Sequence, residues 1–403
     1  MNDMDINTGR ICDFAEVNPK VKISINPTED ISFISMQDTD ENGEIINIQE
    51  RSYQEVAKGY TKFIDGDVLV AKITPCFENG KGGLTSDLKN GKGAGSTEFH
   101  ILRAISGKGD SKFLHQLTKS KKFRKIGETS MTGSAGQKRV SADFISNYKT
   151  FIPPLPEQKK IAEILSGIDT TIQKYQELIK KYENLHKSLL INLLERYQGF
   201  YEEVDLNKYL LSIDSGWSPN CLKRLPIGDE WGVLKTTSVT WEGFNEHESK
   251  ALPNQLLPKV ELSIKSGDVL VTRAGPAERV GVVAVVHRDI PRLMISDKLI
   301  RLRCNKLLLN PFYLGIFLRS SIVQKALFKD KVGMAASQSN ISQQSFKRMR
   351  MRIPPLKEQE KIVSILSSVE KTKSKYILLM KYYEELKQAL SSDLLSGRKR
   401  IKV

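Results

Sequence analysis

Two short segments of this chain set hydrogen-bond donors at turn positions. KITPCFENGK presents Lys72, Asn79 and Lys81 around glycines, and SAGQKR presents Gln137, Lys138 and Arg139. In the second half, Arg273, Arg279, Gln338 and Asn340 stand in matching places. Arg, Lys, Asn and Gln are the side chains that hold phosphates and read base edges. The chemistry these residues suit is contact with phosphates and base edges rather than the making or breaking of bonds.

The residues of catalysis are not gathered anywhere. NPFY (Asn310 to Tyr313) has the look of an amino-methyltransferase loop, but it lacks the second proline and no glycine-rich cofactor strand precedes it. Pro311 in the first turn of a helix is the simpler reading. The glycine-rich run GKGGLTSDLKNGKGAGS has no GxxxxGK[ST] register, so no nucleotide P-loop is expected. GSAG (Gly133 to Gly136) is not a nucleophile elbow. The five histidines show no ligand spacing, and the four cysteines form no CxxC, so neither metal nor cofactor is expected. HESK near His247 is an isolated match to a nuclease motif.

Charge supports a polyanionic partner. The chain has 403 residues and a net charge of +15. Residues 1–60 carry 5 Lys/Arg against 12 Asp/Glu, whereas residues 61–152 carry 16 against 8 and residues 200–352 carry 23 against 15. Such a distribution favours phosphate binding and electrostatic steering. No apolar run approaches the ~18–20 residues of a membrane span. No secretory signal is read either, so a cytoplasmic protein with reduced thiols and no membrane partner is expected.

The elements that must position the donors are repeated. The 42 residues from Pro153 to Leu194 recur without a gap as Pro354 to Leu395, with 21 identities at a constant offset of 201. IDGDVLVAKITP (Ile64 to Pro75) answers SGDVLVTRAGP (Ser266 to Pro276), and SAGQKRVS (Ser134 to Ser141) lies over AASQSNIS (Ala335 to Ser342). The order is variable block, helix, variable block, helix. Each block reads as α/β (α+β) with a strand bias. GDVLV, TEFHILRA and DKLIRLRC are strand-like. SKFLHQLTKSKKFRKI and NPFYLGIFLRSSIVQKAL each read as one capped helix. The glycine-rich stretch from Glu78 to Ser96 reads as loop.

The two repeated helices differ in kind from the rest. Each follows a double proline, which bars helix before it. In the first, Ile161, Leu165, Ile168, Ile172, Tyr175, Ile179, Tyr182, Leu189 and Leu193 alternate in steps of four and three, the seam of a coiled coil interrupted at His186. The second gives Ile362, Leu366, Val369, Tyr376, Met380, Tyr383, Leu390 and Leu394, with Lys373 and Lys387 as breaks. A helix of about 39 residues is ~58 Å long at 1.5 Å per residue, too long for one 150-residue block to cover. The seams are therefore expected to bury each other. A pseudo-two-fold requires them antiparallel, and a partner with bipartite shape, duplex DNA, suits such an object.

PPLPEQKKIAEIL and PPLKEQEKIVSIL, each closing a variable block, resemble the signature of type I restriction–modification specificity subunits, as do AKITPCFENGKG, SAGQKRV and LLSGRKRIKV. The resemblance covers essentially the whole chain. It implies target recognition domains at 1–152 and 200–353, spacer helices at 153–199 and 354–403 (the latter with a C-terminal tail), and an antiparallel coiled coil between the domains. It also implies an asymmetric bipartite DNA site, docking of two methyltransferase subunits, association with restriction subunits, and no active site in this chain. VTRAGP replaces AKITPCFENGKG in the second repeat, and AASQSN lacks counterparts of Lys138 and Arg139, so the halves are expected to read different bases.

Two rival readings make different demands. A fused methyltransferase or nuclease needs a cofactor loop, which the sequence does not display. A pure coiled-coil scaffold would leave DNA affinity indifferent to Lys72, Lys138 and Arg273.

Overall fold

The computed structural model describes residues 7–134, 136–195, 201–329 and 339–402. The chain divides into two units, residues 1–177 with 377–403, and residues 178–376. Each unit therefore holds one variable block, half of the first long helix (Leu155–Glu195) and half of the second (Leu356–Leu394).

In the first unit, Ala15–Val17, Phe99–Ala104, Asp67–Ala71 and Gly82–Leu84 form an antiparallel sheet in that order. A second sheet orders Gln49–Ser52, Asp30–Ile34, Lys92–Gly95 and Thr61–Ile64, with its central pair parallel. The second unit repeats the first sheet with Leu210–Ser215, Leu299–Cys304, Asp268–Thr272 and Val283–Val285. Its other sheet is smaller, with Gly232–Leu234 between Ser249–Ala251 and Leu293–Met294.

The GDVLV repeat now has a physical account. Gly66 and Gly267 take φ of +85° and +89°, a left-handed turn that glycine enters without a Cβ penalty. The aspartates that follow are buried, and each is held by an arginine of the neighbouring strand. Arg103 Nε and Nη2 donate to Asp67 Oδ1 and Oδ2, both at 2.7 Å; Arg303 donates to Asp268 at 2.7 and 3.1 Å. The Val-Leu-Val that follows is buried on both faces.

Two sequence readings are corrected. The stretch from Glu78 to Ser96 is not all loop, because Gly82–Leu84 and Lys92–Gly95 are strands. Its glycines serve close packing: a Cβ on Gly93 would lie 2.1 Å from the Phe63 ring, and one on Gly82 would lie 2.2 Å from Leu69 O. Each block also carries two helices where one was read. Ser111–Lys119 and Lys121–Ser130 break at Ser120, and Pro311–Arg319 and Ser321–Lys329 break at Ser320. Both serines are extended, and Ser120 Oγ accepts from Phe123 N as the cap of the second helix.

The long helices run antiparallel within each unit. In the first, Ile161 and Leu165 share a core with Leu390, Leu394 and Leu395, and the Tyr175 and Tyr383 rings lie 5.7 Å apart. In the second, Ile362 and Leu366 share a core with Leu189 and Leu193, and Tyr182 and Tyr376 lie 5.5 Å apart. Ile168 and Val369 are buried, and Ile172, Ile179 and Met380 are half-buried. The seam breaks carry charge for a reason. Lys387 pairs with Asp169, which also meets Lys119 Nζ at 3.1 Å and accepts from Gln116 Nε2 at 2.9 Å. In the second unit, burial pulls the His186 imidazole below its ordinary range, with Glu370 opposing.

The PPLxEQ motif is explained by its glutamine. Gln158 is fully buried; its Oε1 accepts from Asp110 N at 2.9 Å, and its Nε2 donates to Lys108 O and Pro153 O at 2.9 Å each. Gln359 does the same with Asn310 N, Leu308 O and Pro354 O at 2.7, 3.0 and 2.8 Å. Asp110 and Asn310 are also N-caps, accepting from Phe113 N and Phe312 N. One carboxamide thus ties the start of each long helix to the start of a block helix. The preceding Glu157 is clamped by Arg400 of the tail, at 2.8 Å from Nη2.

Substituting Gln158→Leu or Gln359→Leu leaves three backbone groups without that partner. At about 1–3 kcal/mol for each group that water does not reach, each variant should lose about 2–4 kcal/mol in denaturant unfolding. A loss below about 1 kcal/mol would contradict the role given to the carboxamide.

Candidate nucleic-acid interface

The central strand pair of each first sheet delivers donors to one end. In the first unit the strand Asp67–Ala71 ends at Lys72, whose N–H donates to Glu98 O at 2.7 Å and whose carbonyl accepts from Val140 N at 3.0 Å. Ile73 bridges Arg139, and Thr74 N donates to Lys138 O at 2.9 Å. Arg139 is further bridged to Thr132. These backbone bonds bring Lys72, Gln137, Lys138 and Arg139 together at the mouth of the sheet. Gln137, Lys138 and Arg139 are exposed.

Asn79 and Lys81 are placed elsewhere. Asn79 Nδ2 donates to Glu41 at 3.0 Å, and Lys81 Nζ donates to Met36 O at 3.2 Å, beside the turn at 36–44. The structure does not bring them to the group around Lys72.

The mouth also holds a carboxylate, Glu98, that no motif in the sequence marks. Arg139 Nε donates to both oxygens of Glu98, at 3.2 and 3.0 Å, and Nη2 donates to Oε1 at 2.8 Å. Arg139 holds the Glu98 carboxyl below its ordinary range, and Glu98 raises the guanidinium in return. Lys72 Nζ donates to Thr97 O at 2.7 Å, and burial pulls its ammonium below the usual range while Glu98 opposes. Beneath them His100 is buried, with its Nε2 at 3.0 Å from Val140 O and its Nδ1 at 3.0 Å from Asn18 Nδ2. A carbonyl partner assigns the proton to Nε2. Burial pushes this imidazole down to about 4, so it is neutral at pH 7.

The second unit builds the same frame. Arg273 N donates to Lys298 O at 2.8 Å, and Ile341 N donates to Arg273 O at 2.9 Å. Ala274–Gly275 pairs with Ser339–Asn340, and Arg273 Nε donates to Asn340 Oδ1 at 3.2 Å. Arg279 turns inward instead, with Nη2 at 3.2 Å from Thr236 O and 3.5 Å from Val239 O. Gln338 lies outside the described residues. By backbone role, Lys72 corresponds to Arg273, Glu98 to Lys298, and Arg139 to Asn340.

Among the described residues, no group of three or more His, Cys, Asp or Glu side chains is gathered to hold a metal, and no helix is long and apolar enough to cross a membrane. The mouths offer directional N–H donors and positive charge on a hydrogen-bonded backbone frame, the equipment for contacting phosphates and base edges.

The family model described as "Type I restriction modification DNA specificity domain" matches residues 4–184 and 248–379. The chain belongs to this family. It is 31% identical to the type I restriction enzyme EcoEI specificity subunit of Escherichia coli, over 88% of this chain and 76% of that protein. It is 41% identical to the EcoAI specificity subunit of Escherichia coli over 45% of this chain and 31% of that protein. The crystal structure of the type I restriction–modification S subunit from M. genitalium shares the fold at 14% identity, with a TM-score of 0.59 over 98% of this chain and 97% of that chain.

The buried His100 sets one expectation. Its folded value lies below the unfolded value near 6.5, so the stability it contributes is present above that pH. That stability is lost as pH falls towards about 4. Ring-nitrogen NMR should find the His100 imidazole neutral and protonated at Nε2 from pH 8 down to 5. A midpoint near 6.5 would contradict the placement.

Proposed function

We propose that this chain is the DNA sequence-specificity subunit of a type I restriction–modification complex. Residues 1–152 and 200–353 are its two target recognition domains, each reading one half of a bipartite, asymmetric duplex site. The helices within 153–199 and 354–403 are its spacer and the docking surface for two methyltransferase subunits, with restriction subunits joining the same assembly in the cytoplasm. The modifying and cutting chemistry belongs to those partners, and this chain contributes the choice of site.

One observation carries the reading. The same sheet mouth is built twice from the same backbone bonds, yet its side chains differ, with Lys72, Glu98 and Arg139 in one and Arg273, Lys298 and Asn340 in the other. A conserved frame with exchanged donors and acceptors is what reading two unlike half-sites demands. The basic excess within 61–152 and 200–352 supplies sequence-independent affinity through phosphate contacts.

The test is selection from randomised duplexes by the chain assembled with its methyltransferase subunits. Two fixed blocks of sequence separated by a constant run of unspecified positions are expected; a continuous site, or none, contradicts the proposal. Lys138 is exposed at the mouth. Lys138→Ala should weaken binding to selected and random duplexes alike and reduce the salt slope by about 1. Unchanged affinity across salt would point to a scaffold without a DNA role.

A further inference from the structure

The two mouths share a frame, so the side chains that differ between them are the ones able to change what is read. In the first unit the difference is a matched pair. Glu98 takes the Nε–Nη2 side of Arg139, with donor distances of 2.8–3.2 Å, while Nη1 donates to Gln137 O at 3.2 Å. Each terminal nitrogen carries two N–H groups, so one on Nη1 and one on Nη2 stay unspent among the described residues. Adjacent N–H donors of a guanidinium fit the O6 and N7 acceptors of a guanine in the major groove. The Arg139 side chain is 46% exposed, so this end of the guanidinium is reachable.

A phosphate would also accept two such donors, and charge decides between them. The Glu98 carboxylate lies against the guanidinium and offsets its positive charge, which lowers the attraction for an anion. A neutral base edge keeps the directional bonds without meeting that repulsion. The fork is also pre-set, so little side-chain freedom remains to be lost on binding. The second unit does not repeat the device, since Asn340 and Lys298 stand where Arg139 and Glu98 would be.

We infer that Arg139 recognises a guanine in the half-site read by the first unit, with Glu98 as the residue that positions it. This rests on the DNA-recognition reading above and names the contact within it.

The experiment is selection from randomised duplexes by the full chain assembled with its methyltransferase subunits, as wild type and as Arg139→Ala, Arg139→Lys and Glu98→Gln. The wild type should fix a guanine at one position of one half-site. Arg139→Ala should lower the preference for that guanine by ~5- to 150-fold and leave the other half-site unchanged. Arg139→Lys should weaken that preference less than Arg139→Ala does while keeping affinity for random duplex, because lysine keeps the charge and still reaches O6 and N7 but loses the planar fork. Glu98→Gln should raise affinity for random duplex and weaken the guanine preference less than Arg139→Ala does. Two results overturn the inference alone: an affected half-site of A·T pairs only, or a uniform loss across all sequences in Arg139→Ala. If the wild type selects no bipartite site, the parent reading falls and this inference with it.

Discussion

A single buried carboxamide, used twice, is the constraint on which the rest depends. Gln158 and Gln359 each complete three backbone hydrogen bonds that join the start of a long helix to the entry of a block helix. A buried amide in this position tolerates little movement, because losing one bond strands a polar group away from water. The helix direction relative to its block is therefore set within each unit. Everything that follows along the helix inherits that direction, including the ring pairs of Tyr175 with Tyr383 and Tyr182 with Tyr376.

The second constraint is that neither long helix can cover its own seam. The early turns of the first helix meet the late turns of the second in one unit, and the converse holds in the other. Residues far apart in the chain, such as Ile161 and Leu394 in one unit and Leu193 and Ile362 in the other, must come together before either core is complete, a closure at high loop entropy. The tail strengthens one of these closures, with the Arg400 guanidinium on Glu157 and over the Phe151 ring at 5.0 Å. The charged seam positions follow the same logic, since Lys387 reaches Asp169 beside Lys119 and avoids an unpaired buried ammonium.

What could be read in the amino-acid order was whatever repeats or has a period. The seam at Ile161, Leu165, Ile362 and Leu366, the GDVLV strands and the strand beginning at Phe99 follow from patterning and from a turn glycine. What could not be read depends on contacts distant in sequence. The strands at Gly82–Leu84 and Lys92–Gly95 lack β-forming side chains, because Leu69 O and the Phe63 ring occupy the space a Cβ would need. Ser120 and Ser320 look like ordinary helical residues until their extended backbones split each helix in two. At the mouth, Lys72 and Arg139 are legible as donors, but Glu98 is not, since a carboxylate among such donors makes sense only beside the arginine it holds. Its signal was the strand alignment that sets Glu98 against Lys298. Asn79, Lys81 and Arg279 had the right chemistry, yet their side chains are engaged by Glu41, Met36 O and the carbonyls of Thr236 and Val239.

One frame is thus made twice and equipped differently each time. The central claim is that two unlike readings are combined into one choice of site. Mapping modified bases across the genome of the source organism, with this gene intact and removed, tests that claim most directly. The account predicts that removal abolishes modification at one discontinuous motif, whose two specified parts differ in sequence and flank a run of unspecified positions of constant length. Modification that persists unchanged without the gene, or a motif that is continuous or a perfect palindrome, would contradict it.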